Sequence, residues 1–359
     1  MSELKIKGPA ARCVVVGGAG FLGSHLVNHL INDRRCEVLV VDNLCAGRRE
    51  FVHPEAKFAH ADIAGSEAYL ESLFRDFGAR WVFNYAASPY VPDSYRRPIH
   101  VFMTNAVGAM NVINAAHAFG CWGVLQVSSA ELYGNWDHNA QADGRNAIDE
   151  DDEVCPHSTY GASKAAIDYY VQARWMEAKV PCVALRQFNC VGERETHPYV
   201  VPEIVSQLAR QCTWWDGYVG PGKSAAKLCE SGPSVGTVKL GNNSSRDFMY
   251  AGDAVRAAVR LLEACAGAER FGEVFNLGSE TSVKVYDLAA MIGQVMGFDT
   301  VAVEEDARRK RAWEVWHLQS DNEKLKRLIG DFNQTDLHWA LVRTVEDYLA
   351  RGRKWCWEG

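Results

Sequence analysis

The stretch CVVVGGAGFLGSHL, at positions 13–26, contains the pattern that decides the fold. Its β-branched run predicts a buried strand that leads directly into Gly17, Gly20 and Gly23. Glycines at this spacing allow a tight turn, a close approach of the backbone to a pyrophosphate, and packing of the next helix on the sheet. The N-terminus of that helix then faces the anion. The stretch therefore predicts a dinucleotide-binding strand, turn and helix.

A second predicted strand, EVLVVD, ends at Asp42, nineteen residues after Gly23. A carboxylate at this position can accept hydrogen bonds from ribose hydroxyls and repels a 2′-phosphate, so we expect NAD as the cofactor. Arg48 and Arg49 follow closely and keep NADP open as the alternative. For the glycines, the alternative is a turn that serves packing alone.

Short β-branched runs alternate with helix-length segments through the first half of the chain. They are CVVVG, EVLVVD, KFAHAD, WVFNYAA, GVLQVSS and CVALRQFN, beginning at residues 13, 37, 57, 81, 123 and 182. This rhythm predicts an α/β fold of the Rossmann type, with a doubly wound parallel sheet between crossover helices. The alternation loosens after Asn189. We therefore expect an NAD-binding domain at 1–189 and a smaller α/β substrate-binding lobe at 190–359, some elements of which return to the first domain.

Composition and charge narrow the class of partner. With 359 residues and 48% hydrophobic side chains, the chain can bury a large core. Its net charge of −7 is mild and spread along the sequence, so we expect a small-molecule partner and no nucleic acid. The 11 cysteines lack metal-ligand spacing, and no apolar run is long enough for a membrane span, so neither a metal site nor a membrane segment is predicted. We expect a soluble, cytoplasmic protein.

The stretch TYGASKAA, at 159–166, places Tyr160 and Lys164 on one helix face. A phenol, with an ordinary pKa of about 10, is a poor base, but a nearby ammonium and an oxidised nicotinamide both favour the phenolate. Ser128 and Ser129 end the strand GVLQVSS, at the sheet edge where such folds bind ligands. These groups predict proton-coupled hydride transfer. The alternative for the tyrosine and lysine is an ordinary solvated helix face.

With these motifs, the sequence resembles the extended short-chain dehydrogenase/reductases that modify nucleotide sugars: epimerases, dehydratases and decarboxylases. The resemblance covers nearly the whole chain. The matching segments are GGAGFLG, VDNL, NYAA, TNAVGAMN, SSAELYG, YGASK, RQFNCVG, SSRDFMYAGDAV and FNLGS.

The resemblance implies that Ser129, Tyr160 and Lys164 are the catalytic triad. It also implies that Asn105 supports a proton-relay network. The residues expected to contact NAD are Gly17, Gly20, Phe21, Leu22, Gly23, Asp42, Asn43, Asp62, Ile63, Ala86, Asn105, Tyr160 and Lys164. Asp62 and Ile63 end the third predicted strand, where they can meet the adenine; the alternative for Asp62 is an ordinary loop aspartate.

The resemblance implies that the smaller lobe binds the nucleotide sugar. Asn189, Arg246 and Arg311 fall where the family binds the nucleotide diphosphate, and guanidinium groups suit phosphate oxygens. Each arginine can instead form a surface salt bridge. Ser129, His197 and Tyr199 are expected to line the sugar pocket, although His197 or Tyr199 can merely cap a helix that begins near residue 202. The segment 216–236 reads as a mobile loop, either a lid or a tolerated insertion.

The reaction is expected to begin when Tyr160 removes a hydroxyl proton while carbon 4 of the sugar gives a hydride to NAD. A 4,6-dehydratase needs a further carboxylate, and Glu131 in SSAELYG stands where the dehydratases keep a glutamate. Glucose-type dehydratases also have an aspartate immediately before it, and here that position is Ala130. The alternative for Glu131 is a helix N-terminal carboxylate favoured by the helix dipole.

The leading interpretation is an NAD-dependent 4,6-dehydratase acting on a nucleotide-linked hexose or N-acetylhexosamine, a lyase of carbohydrate biosynthesis. The alternatives are a 4-epimerase, a UDP-glucuronate decarboxylase, or an NAD-sensing regulator without turnover. By the same resemblance we expect a homodimer formed through the helices that follow Asn105 and Tyr160.

Overall fold

The computed structural model describes residues 5–135, 145–196, 198–212, 234–311, 313–332 and 334–351. The strands of these residues are β1 Arg12–Val16, β2 Glu37–Asp42, β3 Lys57–His60, β4 Trp81–Asn84, β5 Gly123–Val127, β6 Cys182–Gln187, β7 Asn189–Val191, β8 Val235–Leu240, β9 Ser245–Tyr250, β10 Val274–Leu277, β11 Ser282–Lys284 and β12 Thr300–Glu305.

Helices of the same residues connect these strands. They are α1 Phe21–Asn28, α2 Glu67–Phe77, α3 Val91–Arg96, α4 Pro98–Phe102, α5 Ala109–Phe119, α6 Thr159–Ala178, α7 Val200–Ala209, α8 Ala251–Ala268, α9 Val285–Met296, α10 Glu323–Ile329 and α11 Leu337–Arg351. A π-helical stretch, Met103–Gly108, joins α4 to α5, and a short 3-10 turn, Ala130–Tyr133, follows β5.

Seven strands form one parallel sheet in the order β10-β6-β5-β4-β1-β2-β3. The order reverses direction at β1, which creates the crevice where such folds bind dinucleotides. Val14 and Val15, neighbours on β1, lie in different hydrophobic clusters because successive strand residues point to opposite faces. Val15 packs with residues of α1 and α8, and Val14 with residues of α2, α5 and α6. The predicted Rossmann-type α/β fold is confirmed.

The smaller part of the molecule contains a three-stranded sheet, β11-β9-β7, and a parallel pair, β12-β8. A separate hydrophobic cluster joins these strands to α7, α9 and α11. Two later elements of the chain return to the seven-stranded sheet. Strand β10 pairs with β6 as the edge of the seven-stranded sheet, and α8 covers one face of that sheet.

Several boundaries differ from the sequence-based expectations. The helix expected near residue 202 begins at Val200, and β8 begins at Val235, so the last two residues of the predicted loop 216–236 are strand. The part of that loop at 216–233 lies outside the described residues. Within the residues that the structure describes, no helix combines the length and apolar character that crossing a bilayer requires.

Candidate active site

The turn between β1 and α1 and the first turn of that helix have no room for side chains at Gly17 and Gly23. A Cβ at Gly23 would lie 2.1 Å from the carbonyl oxygen of Gly17, and one at Gly17 would lie 2.5 Å from the amide nitrogen of Ala86. Gly17 also has a φ of +78°, which disfavours any other residue. Gly20, at the N-cap of α1, leaves the first-turn N–H groups open to an anion. This cradle fits the pyrophosphate of a dinucleotide.

Asp42 lies at the carboxyl end of β2, beside that turn. Its carboxylate accepts hydrogen bonds from the backbone nitrogens of Ala19, at 3.0 Å, and Leu44, at 2.8 Å. Burial raises the pKa of Asp42, and the two hydrogen bonds partly offset that effect. Because each carboxylate oxygen has two lone pairs, both can also accept from ribose hydroxyls. The residue therefore fits NAD and also holds the turn in place.

Three other predicted cofactor residues lie in the loops after β2 and β3. The side-chain amide of Asn43 donates to Asp62 at 3.3 Å, and Asp62 accepts from the backbone nitrogen of Ala64 at 2.8 Å. Ile63 is buried, and its side chain packs against Gly108. These contacts hold the two loops together along one side of the crevice.

Phe21 and Leu22 form the start of α1. The ring of Phe21 packs against Gly192, in the loop after β7, and Leu22 is half-buried. Asn105 lies in the π-helical stretch and is buried. Its side chain accepts from the backbone nitrogen of Ser88 at 2.7 Å and donates to the Ser88 carbonyl at 3.1 Å. Asn105 thus fixes the loop after β4, immediately after Ala86.

The structure brings Ser129, Tyr160 and Lys164 together, all of them buried. The side chain of Ser158 accepts from the backbone nitrogen of Gly161 at 3.0 Å and caps α6, so Tyr160 and Lys164 stand on its first turns. Ser129 follows β5 and lies next to the phenol of Tyr160, whose pKa it lowers. The Nζ atom of Lys164 lies 5.9 Å from the centre of the Tyr160 ring and donates to the Val127 carbonyl at 3.0 Å.

The electrostatics of Tyr160 differ from the sequence-based expectation. Burial raises the pKa of Tyr160 to about 12; the hydrogen bond from Ser129 opposes this rise and the charge of Glu131 adds to it. Burial also lowers the pKa of Lys164 to about 8, although Asp168 opposes that change. In the protein alone, the phenol therefore keeps its proton at neutral pH. The expected ionisation requires the additional positive charge of the oxidised nicotinamide.

A buried polar network behind Lys164 was not predicted from the sequence. Asp168, one turn further along α6, accepts from Nε of Arg186 at 2.7 Å. Arg186 also donates to the Tyr133 hydroxyl at 2.7 Å, and Tyr133 donates to Asn276 at 2.7 Å. The network links α6, β6, the 3-10 turn and β10. Its sequence signal is the aspartate four residues after Lys164, on the same helix face.

Glu131, Arg246, Arg311 and Glu314 form the carboxylate–arginine cluster. Nη2 of Arg246 donates to Oε1 of Glu314 at 2.8 Å, and both side chains are 8% exposed. Nη1 of Arg311 lies 3.6 Å from Oε1 of Glu131 and 3.8 Å from Oε1 of Glu314. The two predicted phosphate ligands are therefore brought together, but each is paired with a carboxylate. Sequence reasoning missed Glu314, whose signal is its spacing of three residues from Arg311.

Two predicted substrate residues lie near this region, and one lies outside the described residues. Asn189 begins β7 and is exposed. Tyr199 precedes α7, and burial together with the charge of Tyr160 raises its pKa above the usual range. His197 is not among the described residues. Glu195 was not predicted: among the described residues its buried Oε2 has no hydrogen-bond partner, and burial raises its pKa well above the ordinary value.

Comparison with known proteins identifies the class. The chain matches the model of the NAD dependent epimerase/dehydratase family over residues 13–278 and belongs to that family. The predicted family is therefore confirmed, and so is NAD as the cofactor. Epimerases and dehydratases of nucleotide sugars both occur among its relatives.

The relatives divide between two activities. The chain is 28% identical to a human dTDP-D-glucose 4,6-dehydratase over 296 residues, which cover 80% of this chain and 75% of the relative. It is equally, 28%, identical to a UDP-glucose 4-epimerase of Corynebacterium glutamicum over 350 residues, or 94% and 95% of the two chains. The crystal structure of a dTDP-glucose 4,6-dehydratase from Streptomyces venezuelae, with NAD and TYD bound, superposes with a TM-score of 0.78 at 25% identity, covering 97% and 99%.

Proposed function

We propose that this protein is a 4,6-dehydratase of a nucleoside diphosphate hexose or N-acetylhexosamine. One observation carries the proposal: a carboxylate stands beside the buried serine and tyrosine. Glu131 lies on the 3-10 turn that Ser129 begins, its backbone nitrogen donates to Oγ of Ser129 at 3.2 Å, and its charge acts on Tyr160. A 4-epimerase, which returns the hydride to the other face of the sugar, needs no such carboxylate.

The first half of the reaction uses the buried trio. Bound NAD would supply the acceptor for the hydride of carbon 4 and would return that hydride to carbon 6 after its hydroxyl has left. Tyr160 takes the proton of the hydroxyl on carbon 4. Ser129 hydrogen-bonds the oxygen of that hydroxyl and so positions it. The proton taken by Tyr160 would be exchanged through solvent for the one that carbon 5 regains. Lys164, fixed by the Val127 carbonyl, supplies positive charge that stabilises the phenolate.

The second half is assigned to Glu131. Oxidation at carbon 4 acidifies the proton on carbon 5, and Glu131 removes it. Loss of the carbon 6 hydroxyl then needs a proton donor. Ala130, where glucose-type dehydratases have an aspartate, is 2% exposed and packs among Leu132, Tyr133 and Ile148. Glu131 therefore has to give the proton that it has collected to the leaving hydroxyl.

The substrate is proposed to lie across the carboxylate–arginine cluster. Arg246 and Arg311 supply guanidinium groups for the diphosphate. Asn189, exposed at the start of β7, is proposed to bind it as well. Tyr199, close enough to Tyr160 for their charges to interact, is proposed to line the sugar pocket.

A 4-epimerase remains the second candidate because of Ala130. An epimerase needs no acid at that position, and the apolar surroundings of Ala130 suit a site without one. The Corynebacterium relative has this activity.

Product mass separates the candidates. The purified protein is incubated with dTDP-glucose, UDP-N-acetylglucosamine, GDP-mannose and UDP-glucuronate, and the products are analysed by mass spectrometry. Loss of one water supports the dehydratase, an isomer of unchanged mass supports the epimerase, and loss of carbon dioxide supports a decarboxylase. Glu131→Gln is expected to abolish water loss while leaving the transient reduction of NAD, read by its absorbance. Epimer formation with an undiminished rate in Glu131→Gln would contradict the proposal.

We also propose a homodimer formed through α4, α5 and α6. Large apolar side chains are exposed at helical spacing on this face: Ile99 and Met103 on and after α4, and Tyr169 and Met176 on α6. Ile99 and Met176 are 76% and 77% exposed, which is unusual for an unpartnered surface. Ile99→Glu is expected to give monomers by light scattering, whereas Tyr69→Glu, on α2, leaves the dimer intact. A wild-type monomer at micromolar concentration would refute the dimer.

A further inference from the structure

The carboxylate–arginine cluster has no net charge, but its ion pairs differ in strength. Its two glutamates offset its two arginines. Arg246 and Glu314 are both almost fully buried, and their contact is a hydrogen bond of 2.8 Å. Arg311 is 29% exposed, and its contacts with Glu131 and Glu314, at 3.6 and 3.8 Å, are longer than hydrogen bonds. Arg311 is therefore the loosely held member of the cluster.

Further contacts fix the tighter pair. Arg246 donates to the Ser245 carbonyl at 2.9 Å, and the side-chain amide of Asn242 donates to Oε2 of Glu314 at 2.6 Å. Breaking a buried, hydrogen-bonded ion pair leaves an uncompensated charge and is costly. A ligand that enters the cluster therefore leaves the pair of Arg246 and Glu314 in place and draws on Arg311.

We propose that Arg311 is shared between Glu131 and the substrate: in the free protein it holds Glu131, and the diphosphate of the substrate competes for it and releases the Glu131 carboxylate. The inference rests on the proposed function, because it assumes that the diphosphate binds at these arginines and that Glu131 acts on the sugar. It makes Arg311 a positioning residue, which connects recognition of the diphosphate to the orientation of the reacting carboxylate.

The competition follows from geometry and charge. A diphosphate offers several oxygens and at least two negative charges, and a guanidinium fork binds it in a bidentate manner. A single carboxylate oxygen at 3.6 Å cannot match this. While Glu131 faces Arg311, one of its oxygens is turned toward the arginine. Sugar 1-phosphates and free sugars lack the diphosphate, so they do not displace Arg311 from Glu131.

The test is a binding cycle that needs no turnover. The NAD-loaded protein is titrated with UDP, dTDP and GDP by calorimetry at one ionic strength, and the tightest of the three is then used with each variant. Glu131→Gln removes the internal competitor, so it is expected to bind the nucleoside diphosphate roughly two- to tenfold more tightly. Arg311→Gln is expected to bind it more weakly. Glu71→Gln, whose partner Arg75 is outside the cluster, is expected to leave the affinity unchanged.

The double variant decides whether the effect passes through Arg311. When Glu131→Gln is added to Arg311→Gln, it is expected to produce a clearly smaller gain in affinity, because only the charge effect of Glu131 on Arg246 is then left to relieve. An equal gain in both backgrounds would mean that the charge of Glu131 acts at long range, and it would overturn the proposal. So would a weakened or unchanged affinity in Glu131→Gln with intact Arg311. Thermal unfolding of each variant checks that the fold is kept. Because these affinities do not depend on the product, failure of the dehydratase assignment appears separately, in the mass of the product.

Discussion

The Nζ atom of Lys164 lies 5.9 Å from the centre of the Tyr160 ring and donates its hydrogen bond to the Val127 carbonyl. The lysine is therefore held in place by the end of β5, beside the ring of the phenol. Burial brings the pKa of Lys164 down to about 8 and that of Tyr160 up to about 12. In the protein alone both groups therefore hold their protons at neutral pH, and on raising the pH Lys164 is the first to lose its proton.

This relationship predicts a bell-shaped dependence of kcat/KM on pH. Activity is expected to rise as the phenol ionises beside bound NAD, and to fall above about pH 8 as Lys164 loses its charge. Lys164→Met is expected to be much less active and to lack the alkaline fall. If the variant keeps the same fall, another group is responsible. Difference absorbance of the phenolate should appear on adding NAD and be absent without it.

Tyr160→Phe tests the proposed base directly. The variant lacks the phenol oxygen, so turnover of the nucleotide sugar is expected to fall by at least about a hundredfold. Tyr69→Phe is the matched control, because that tyrosine is on α2, outside the proposed dimer contact, and 49% exposed. Both variants are compared by initial rate, by NAD content and by circular dichroism. Undiminished turnover in a folded Tyr160→Phe would rule out the mechanism.

Two glycines should respond to the same substitution in opposite ways. Gly23→Ala would place a Cβ 2.1 Å from the Gly17 carbonyl oxygen, so it is expected to lower the melting temperature and the NAD content. Gly267→Ala, on α8, meets no atom within 4 Å, and alanine favours the helix by roughly 0.5–1 kcal/mol. It is therefore expected to be neutral or stabilising. Calorimetric unfolding of both variants with and without NAD provides the measurement.

Glu195 predicts a pH dependence of stability. Burial holds its pKa well above the ordinary value, so the folded protein keeps a proton that the unfolded chain releases above about pH 4.3. The contribution of Glu195 to the free energy of unfolding is therefore complete below that pH. It declines as the pH rises toward the pKa of Glu195 in the folded protein. Glu195→Gln is expected to flatten this decline, as measured by urea unfolding across pH.

Glu193 provides the contrasting variant. Burial favours its neutral form, but hydrogen bonds, including one from Arg343, prevail and lower its pKa. The contribution of Glu193 to the free energy of unfolding is present above the pKa that this group has in the unfolded chain. It is lost as the pH falls. Glu193→Gln is therefore expected to destabilise the protein at neutral pH. An identical response of the two variants would contradict the assignment for Glu195.

The features that sequence predicted best are those that depend on neighbours in the chain. The conformation of Gly17 and the face shared by Tyr160 and Lys164 follow from local geometry. The strands up to β6, apart from the partly exposed β3, follow from their mostly apolar runs. The pairing of Arg311 with Glu131 could not be predicted, because the partners are far apart in sequence and meet only in the folded chain. The pKa of Tyr160 depends on its burial beneath other elements, which no local pattern reports.

The position of β10 affects how the protein can fold during synthesis. The edge of the seven-stranded sheet is completed only by residues up to Leu277, and α8, which covers one face of the sheet, ends shortly before it. A nascent chain that has emerged only to residue 189 therefore lacks both its last strand and one of its covering helices. The cofactor half is therefore expected to finish folding on the ribosome only after the chain has been translated at least to Leu277, and a chimaera that exchanges either half at residue 189 is expected not to fold.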